Sequence, residues 1–285
     1  MESIRGFIAT WLVLLLVCLG SPARAESLIF APLPMQSLAQ TQASNQPLTD
    51  LLAELLDRPV EMRLYPDHAA LLDGLTRGEV DLVELGPLPL LLAKERMSRL
   101  NEVASFREPD GRADYRCVVV APVDGIQSLA EIERKPGQSP VAMTRPESTC
   151  GPTVTFSLLA DQGLDPNQLR GQYRGTHDDV ALAVLRELHP LGVIKESVAR
   201  RFFDLGLRIL ASSDPVPGFV LVSPAGKLAE QELGHLREAL MALDSRQLSR
   251  LQNGRYGFVR FDEQLGYRLE AMRVFSAPYF ENVAP

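Results

Sequence analysis

Between residues 28 and 222 the chain alternates short apolar runs with stretches whose apolar residues recur at helical spacing. A strand buried on both faces reads as a short continuous apolar run. The helix that crosses to the next parallel strand reads as a periodic one. Leu28 to Ala31 is the first such run, ended by Pro32 and Pro34. Thr49 can cap a helix over 50–56, with Leu51, Leu52 and Leu55 on one face. Residues 60–64 read as the next strand, and Asp67 caps a helix carrying Leu71, Leu72 and Leu75 that stops at Gly78. Residues 80–85 form a third strand, and Gly86-Pro87 turns it into a helix running to about Arg96. The expected class is α/β with a largely parallel sheet.

The second half continues the pattern. Residues 115–121 are a valine-rich strand, Ser128 starts a short helix and 141–143 is a short strand. Ser148-Thr149-Cys150-Gly151-Pro152 opens a helix that ends at Gly163, with proline near its first position. Thr176 opens another, with Val180, Val184 and Leu188 four apart. Strands follow at 191–194 and 219–222, and 227–251 reads as largely helical. The 285 residues suit one large domain or two lobes of about 100–150 residues each. Lobes that exchange the chain more than once show no linker, and none is visible.

The first 25 residues read as an export signal. Arg5 supplies a basic start, 7–19 is an apolar run too short to span a bilayer comfortably, and Ala23-Arg24-Ala25 fits a cleavage site. Cys18 follows Val17, a poor context for lipid attachment. The expected mature chain starts at Glu26 and is exported. Net charge is −7, and losing Arg5, Arg24 and Glu2 makes it one unit more negative. That argues against a nucleic-acid partner, which needs a basic face. It leaves open a single small anion, held by local amides and hydroxyls.

Four segments carry candidate chemistry. Ser148-Thr149-Cys150-Gly151 stands at a helix start, where unpaired N–H groups and a partial positive charge suit an oxyanion; a plain cap is the simpler reading. Thr176-His177-Asp178-Asp179 stands at another. There His177 can donate a hydrogen bond, while the two aspartates complement the helix dipole and need no further role. Asp67-His68, with Gly78 to Asp81 and Leu85 to Pro87, is ordinary turn chemistry. Tyr115 and Cys117 are two apart in a strand and share a face.

The order and spacing of these segments resemble the phosphate/phosphite/phosphonate-binding periplasmic proteins of ABC importers. The resemblance covers about 65–222. Asp67-His68-Ala69-Ala70-Leu71-Leu72 is similar to the family's Asp-Tyr-Ala segment, and 78–81 with 85–87 to its Gly-x-Val-Asp and Gly-Pro. Residues 115–121 resemble its tyrosine-bearing crossover strand, 124–129 the loop after it, and Ser148-Thr149-Cys150-Gly151 its Ser-Thr-Ser-Gly loop. His177 with the 181–184 helix resembles its ligand histidine, and Pro215-Val216-Pro217-Gly218 its return segment.

The resemblance implies a two-lobed, type 2 periplasmic-binding-protein fold with two crossover strands as the hinge. Residues 26–114 plus 219–285 would form one lobe and 115–218 the other. It implies that Tyr115, Ser148, Thr149, Cys150, Gly151 and His177 line a small-oxyanion site. His68 would stand in place of a ligand tyrosine, and Glu196 would match a ligand glutamate after a one-residue slip. Departures accompany it: Cys150 replaces a serine, Phe219 an aspartate, and His189-Pro190-Leu191-Gly192 a strand with a further aspartate. Losing a carboxylate that would hold an ammonium argues against an aminoalkylphosphonate ligand.

The resemblance points Tyr115, and with it Cys117, at the cleft that Cys150 also borders. A Cys117–Cys150 disulfide is then open to an exported protein; the alternative is a free Cys150 with a lowered thiol pKa. The implied partner is an ABC permease in the inner membrane, with a sensor receptor as the alternative. A cysteine-dependent enzyme using Cys150 and His177 is the weaker rival. No metal or cofactor is implied, and a monomer is expected.

Overall fold

The computed structural model describes residues 26–133 and 140–284; the expected export signal lies outside the described residues. The strands are β1 (Leu28–Ala31), β2 (Val60–Met62), β3 (Leu82–Leu85), β4 (Leu100–Phe106), β5 (Asp114–Tyr115), β6 (Cys117–Pro122) and β7 (Val141–Thr144). They continue as β8 (Gly171–Gly175), β9 (Gly192–Lys195), β10 (Leu207–Ser212), β11 (Val216–Pro217), β12 (Val220–Pro224), β13 (Phe258–Val259) and β14 (Val283–Ala284). The α-helices are α1 (Leu38–Leu56), α2 (His68–Thr76), α3 (Pro87–Arg96), α4 (Ala130–Glu133) and α5 (Pro152–Asp161). After them come α6 (His177–Leu185), α7 (Glu196–Ala199), α8 (Glu230–Met241), α9 (Ser245–Ser249) and α10 (Glu263–Ser276).

Two six-stranded sheets result, in the orders β13-β4-β12-β3-β1-β2 and β10-β6-β9-β7-β8-β14. Between them β5 and β11 make a two-stranded antiparallel ribbon, pairing Tyr115 with Val216 and Asp114 with Pro217. The fold is therefore two-lobed α/β with a paired-strand crossover. The sheets are mixed and not largely parallel as expected. β2, β1 and β3 run parallel, as do β9, β7, β8 and β14, but β12 returns antiparallel to β3 and β4. β6 is antiparallel to both β9 and β10. The crossover is the reason: a strand that re-enters a sheet from the other lobe arrives from the opposite end.

Period-two alternation builds a core on each face of each sheet. Along β6, Cys117 and Val119 enter one cluster with Val141, Val193 and Phe156, while Val118 and Val120 enter the opposite one with Val180 and Ile194. β1 does the same, sending Leu28 and Phe30 against α1 and Ala31 toward Leu71, Leu72 and Leu75 of α2. Each fully buried Leu or Val contributes about 1.5–3 kcal/mol.

Three sequence expectations are corrected. The first helix does not begin at Thr49. Ser37 caps it, accepting from Gln40 N, and Thr49 lies inside it, donating to the Asn45 carbonyl at 2.9 Å. Pro47 sits within this helix, and its missing N–H makes the first half illegible as a periodic pattern. The stretch 227–251 divides into α8 and α9, each with its own capping glutamate or aspartate. Finally, the chain after β13 does not stay with the first sheet. β14 pairs in parallel with β8, Val283 opposite Gly171, and Ser276 at the end of α10 donates to the Thr153 carbonyl of α5. The C-terminal segment from α10 onward thus joins the second lobe, not the first as the 219–285 boundary expected.

Among the described residues no helix is long and apolar enough to cross a membrane.

Candidate functional site

Parallel strands of both sheets end at the interface between the lobes, and the helices that follow begin there. In such sheets the crevice outside the carboxyl ends of the strands is the usual binding place. β2 leads through Asp67 into α2, whose first residue is His68; Asp67 accepts from Ala70 N at 2.8 Å and fixes the start. β3 leads through Gly86 into α3, with Pro87 and Leu88 in its first turn. β7 leads through Ser148-Thr149-Cys150-Gly151 into α5, with Pro152 first. β8 leads through Thr176 into α6, whose first residue is His177. Each start leaves backbone N–H groups without intrahelical partners and carries the positive end of the dipole.

The starts are in mutual reach. Leu88 N of α3 donates to Thr149 Oγ1 at 3.1 Å, and the Tyr115 hydroxyl lies against the same Thr149 side chain. Arg145, before the Ser148 loop, donates to the Pro34 carbonyl across the lobes at 3.3 Å. His68, Tyr115, Ser148, Thr149 and His177 are all buried. Gly151 is required by close approach: a Cβ there would stand 2.5 Å from the Arg145 carbonyl oxygen and 2.8 Å from that of Ser148.

Both histidines are neutral. Burial first, then Lys195, pushes His177 down to about 3. Burial first, then the Arg145 guanidinium, pushes His68 to about 4, with the Glu147 carbonyl opposing. The backbone N–H of Lys195 donates to His177 Nδ1 at 3.1 Å. Nδ1 is thus the acceptor, and the ring proton resides on Nε2, ready to be donated. Burial also raises the Tyr115 phenol well above its ordinary value, so it too stays a neutral donor. His68 Nδ1 and Thr144 Oγ1 are buried without a hydrogen-bond partner among the described residues. Buried polar groups are rarely left so, and the Thr144 hydroxyl lies 3.4 Å from the Cβ position of Gly151 at the same helix start.

Two sequence candidates fall elsewhere. Cys150 offers no thiol: it is bonded to Cys117, with Cα atoms 5.5 Å apart. Its part is to tie the Ser148 loop to the strand after Tyr115. Glu196, half-buried at the start of α7, pairs with Arg200 at 2.5 Å, one turn along. Its buried neighbour Lys195, the last residue of β9 and the N-cap of that helix, is the one in contact with His177.

Sequence reasoning did not find Lys195, Glu108 or Glu84. Lys195 Nζ pairs with Glu108 Oε1 at 2.6 Å across the lobes, and its side chain is 9% exposed. Glu84 of β3 accepts from Leu33 N at 3.3 Å and Asn253 Nδ2 at 2.9 Å. Burial lifts its carboxyl to about 7. The available signal was position alone: Glu84 and Lys195 close the last turns of strands that end at the crevice. A separate cavity of about 500 Å³ lies between α3 and α10, lined by Leu90, Leu91, Tyr267 and Glu270, and includes none of the candidate residues.

Residues 30–265 match the family of phosphonate periplasmic substrate-binding proteins of ABC transporters. The phosphate-import protein PhnD of Mycolicibacterium smegmatis is 24% identical over 170 residues, covering 56% of this chain and 52% of that protein. The chain also matches glycine dehydrogenases (decarboxylating) over a short stretch. With that of Pseudomonas putida it is 33% identical over 88 residues, 30% of this chain but 9% of the enzyme. The binding protein component of an ABC phosphonate transporter from Pseudomonas aeruginosa superposes with a TM-score of 0.74 at 19% identity, covering 89% of this chain and 87% of that one. PhnD1 of Prochlorococcus marinus, solved with methylphosphonate, gives 0.73 at 15% identity, with 86% and 96% covered.

Proposed function

We propose that this chain, which belongs to the phosphonate family of periplasmic substrate-binding proteins of ABC transporters, captures a small tetrahedral oxyanion between its lobes for an importer. One lobe would comprise 26–114 and 219–262, the other 115–218 and 263–284. The observation that carries this reading is the meeting of helix starts from both lobes around neutral donors. Thr149 receives the first-turn amide of α3, and His177 presents Nε2–H from the first residue of α6. Several N–H and O–H donors, with the Lys195 and Arg145 cations beside them, suit phosphate, phosphite or a small phosphonate, because each oxygen needs a donor and the helix dipoles favour its charge.

Ser148, Thr149, Tyr115, His177 and His68 would supply the contacts, and Gly151 the room for them. Closure would follow from tighter binding to the closed state, and the closed surface would engage a permease. No catalysis is proposed: Cys150 lacks the thiolate that a cysteine nucleophile requires. The location would be periplasmic, where the disulfide is stable.

The test is a thermal-shift and calorimetric screen of phosphate, phosphite, methylphosphonate, sulfate, amino acids and sugars. A phosphorus oxyanion at one hundred times its Kd should stabilise the protein by about 2.7 kcal/mol. A shift with an amino acid or sugar, and none with any phosphorus or sulfur oxyanion, overturns the reading.

A further inference from the structure

Beside the oxyanion donors the chain builds a second recognition element and fills it itself. Lys195 Nζ lies 4.7 Å from the Tyr115 ring centroid and 4.4 Å from that of Phe219. The two rings meet edge to face at 5.9 Å, and Glu108 Oε1 closes the arrangement at 2.6 Å from Nζ. Two aromatic faces and a carboxylate around one nitrogen are the receptor that organic ammonium groups require. Glu108 comes from the segment between β4 and β5, Tyr115 is the last residue of the crossover strand β5, Phe219 lies between β11 and β12, and the lysine ends β9 in the second sheet.

The cage adjoins the oxyanion donors directly. Tyr115 belongs to both, its ring under Lys195 Nζ and its hydroxyl against Thr149. Lys195 also belongs to both, since its backbone N–H sets the His177 tautomer. A ligand with a tetrahedral anion at Thr149 and His177, and an ammonium two carbons away, would bring that ammonium onto the lysine. Like charges in a buried site repel strongly, and the space is taken.

We propose that Lys195 is a specificity-determining residue that occupies an ammonium cage of Tyr115, Phe219 and Glu108, so that the site accepts oxyanions without an amino group and rejects aminoalkyl ones. This rests on the oxyanion reading above and narrows its ligand class. Lys195→Ala would vacate the cage and leave Glu108 in want of a cation, which a ligand ammonium would supply.

The experiment is calorimetric titration of the wild-type protein, and of Lys195→Ala and Lys195→Met, with ethylphosphonate and 2-aminoethylphosphonate. These probes differ by one amino group. The wild type should bind ethylphosphonate at least 10-fold more tightly. Lys195→Ala should shift the preference toward 2-aminoethylphosphonate by 10-fold or more. Lys195→Met, which keeps the volume and drops the charge, should not. A wild type that binds 2-aminoethylphosphonate as well as ethylphosphonate overturns the proposal while leaving the oxyanion reading intact, and needs no variant to fold. So does a folded Lys195→Ala whose preference is unchanged. A wild type that binds neither probe nor any other phosphorus oxyanion overturns both.

Discussion

Removing the Cys117–Cys150 bond should cost about 4 kcal/mol of stability. The two cysteines are 33 residues apart, and a loop of that length loses about 12 cal/mol/K of unfolded-state entropy when closed. Both side chains are buried in the same cluster as Val119, Val154 and Tyr115, so reduced thiols would keep most of their packing and the loss falls on the unfolded chain. With a urea slope of about 3 kcal/mol/M, the midpoint should drop by about 1.3 M on reduction, and similarly in Cys117→Ala/Cys150→Ala. The bond lies within one lobe, so only the transition of that lobe should move if two are resolved. The bond also anchors the Ser148–Thr149 loop beside Tyr115, so the reduced protein should bind its anion more weakly. The assay is urea unfolding followed by circular dichroism, with and without reductant. Oxidised and reduced midpoints that agree within about 0.3 M would show that the loop is held by packing alone and refute the entropy argument.

Two further outcomes are expected. His177→Ala should weaken oxyanion binding by about 10- to 150-fold, corresponding to the 1.5–3 kcal/mol of a hydrogen bond to a charged group; since it also strands the Lys195 N–H, stability falls in either case, and unchanged affinity by calorimetry would reduce His177 to a structural role. Acid should destabilise the protein through both histidines: folded values of about 3 and about 4 lie below the unfolded 6.5, so the unfolded chain gains protons first and stability falls as pH drops from 6.5 toward 3. Glu84, raised to about 7, acts oppositely, its contribution complete below its unfolded value and lost as pH rises through 7. A His68→Gln/His177→Gln variant should therefore lose less stability than wild type between pH 6.5 and 4 in urea titrations, and an equal loss would contradict the neutral assignment.

The local elements were legible because they rest on short-range rules. Asp67 caps α2 and Thr176 caps α6 in a reciprocal box with Asp179, and Gly86-Pro87 and Gly151-Pro152 open their helices where side-chain pattern and proline geometry agree. Tyr115 and Cys117, expected on one face of a single strand, instead end β5 and begin β6 of two different sheets, yet both enter one core with Cys150. Membership of the binding-protein family was legible through the ordered set of such segments. What the tertiary structure decided is everything that depends on two distant segments meeting. The return of β14 to the second sheet rests on a two-residue pairing 112 positions from its partner, Val283 with Gly171, and no local signal encodes it. Glu196 and Lys195 are equally polar neighbours at a strand end, and only the face that β9 turns to the cleft selects the lysine. The tautomer of His177 is set by an amide 18 residues away, and the cage around Lys195 draws on Glu108, 87 residues distant. Side-chain chemistry is written locally, but the direction in which it points is fixed by long-range packing.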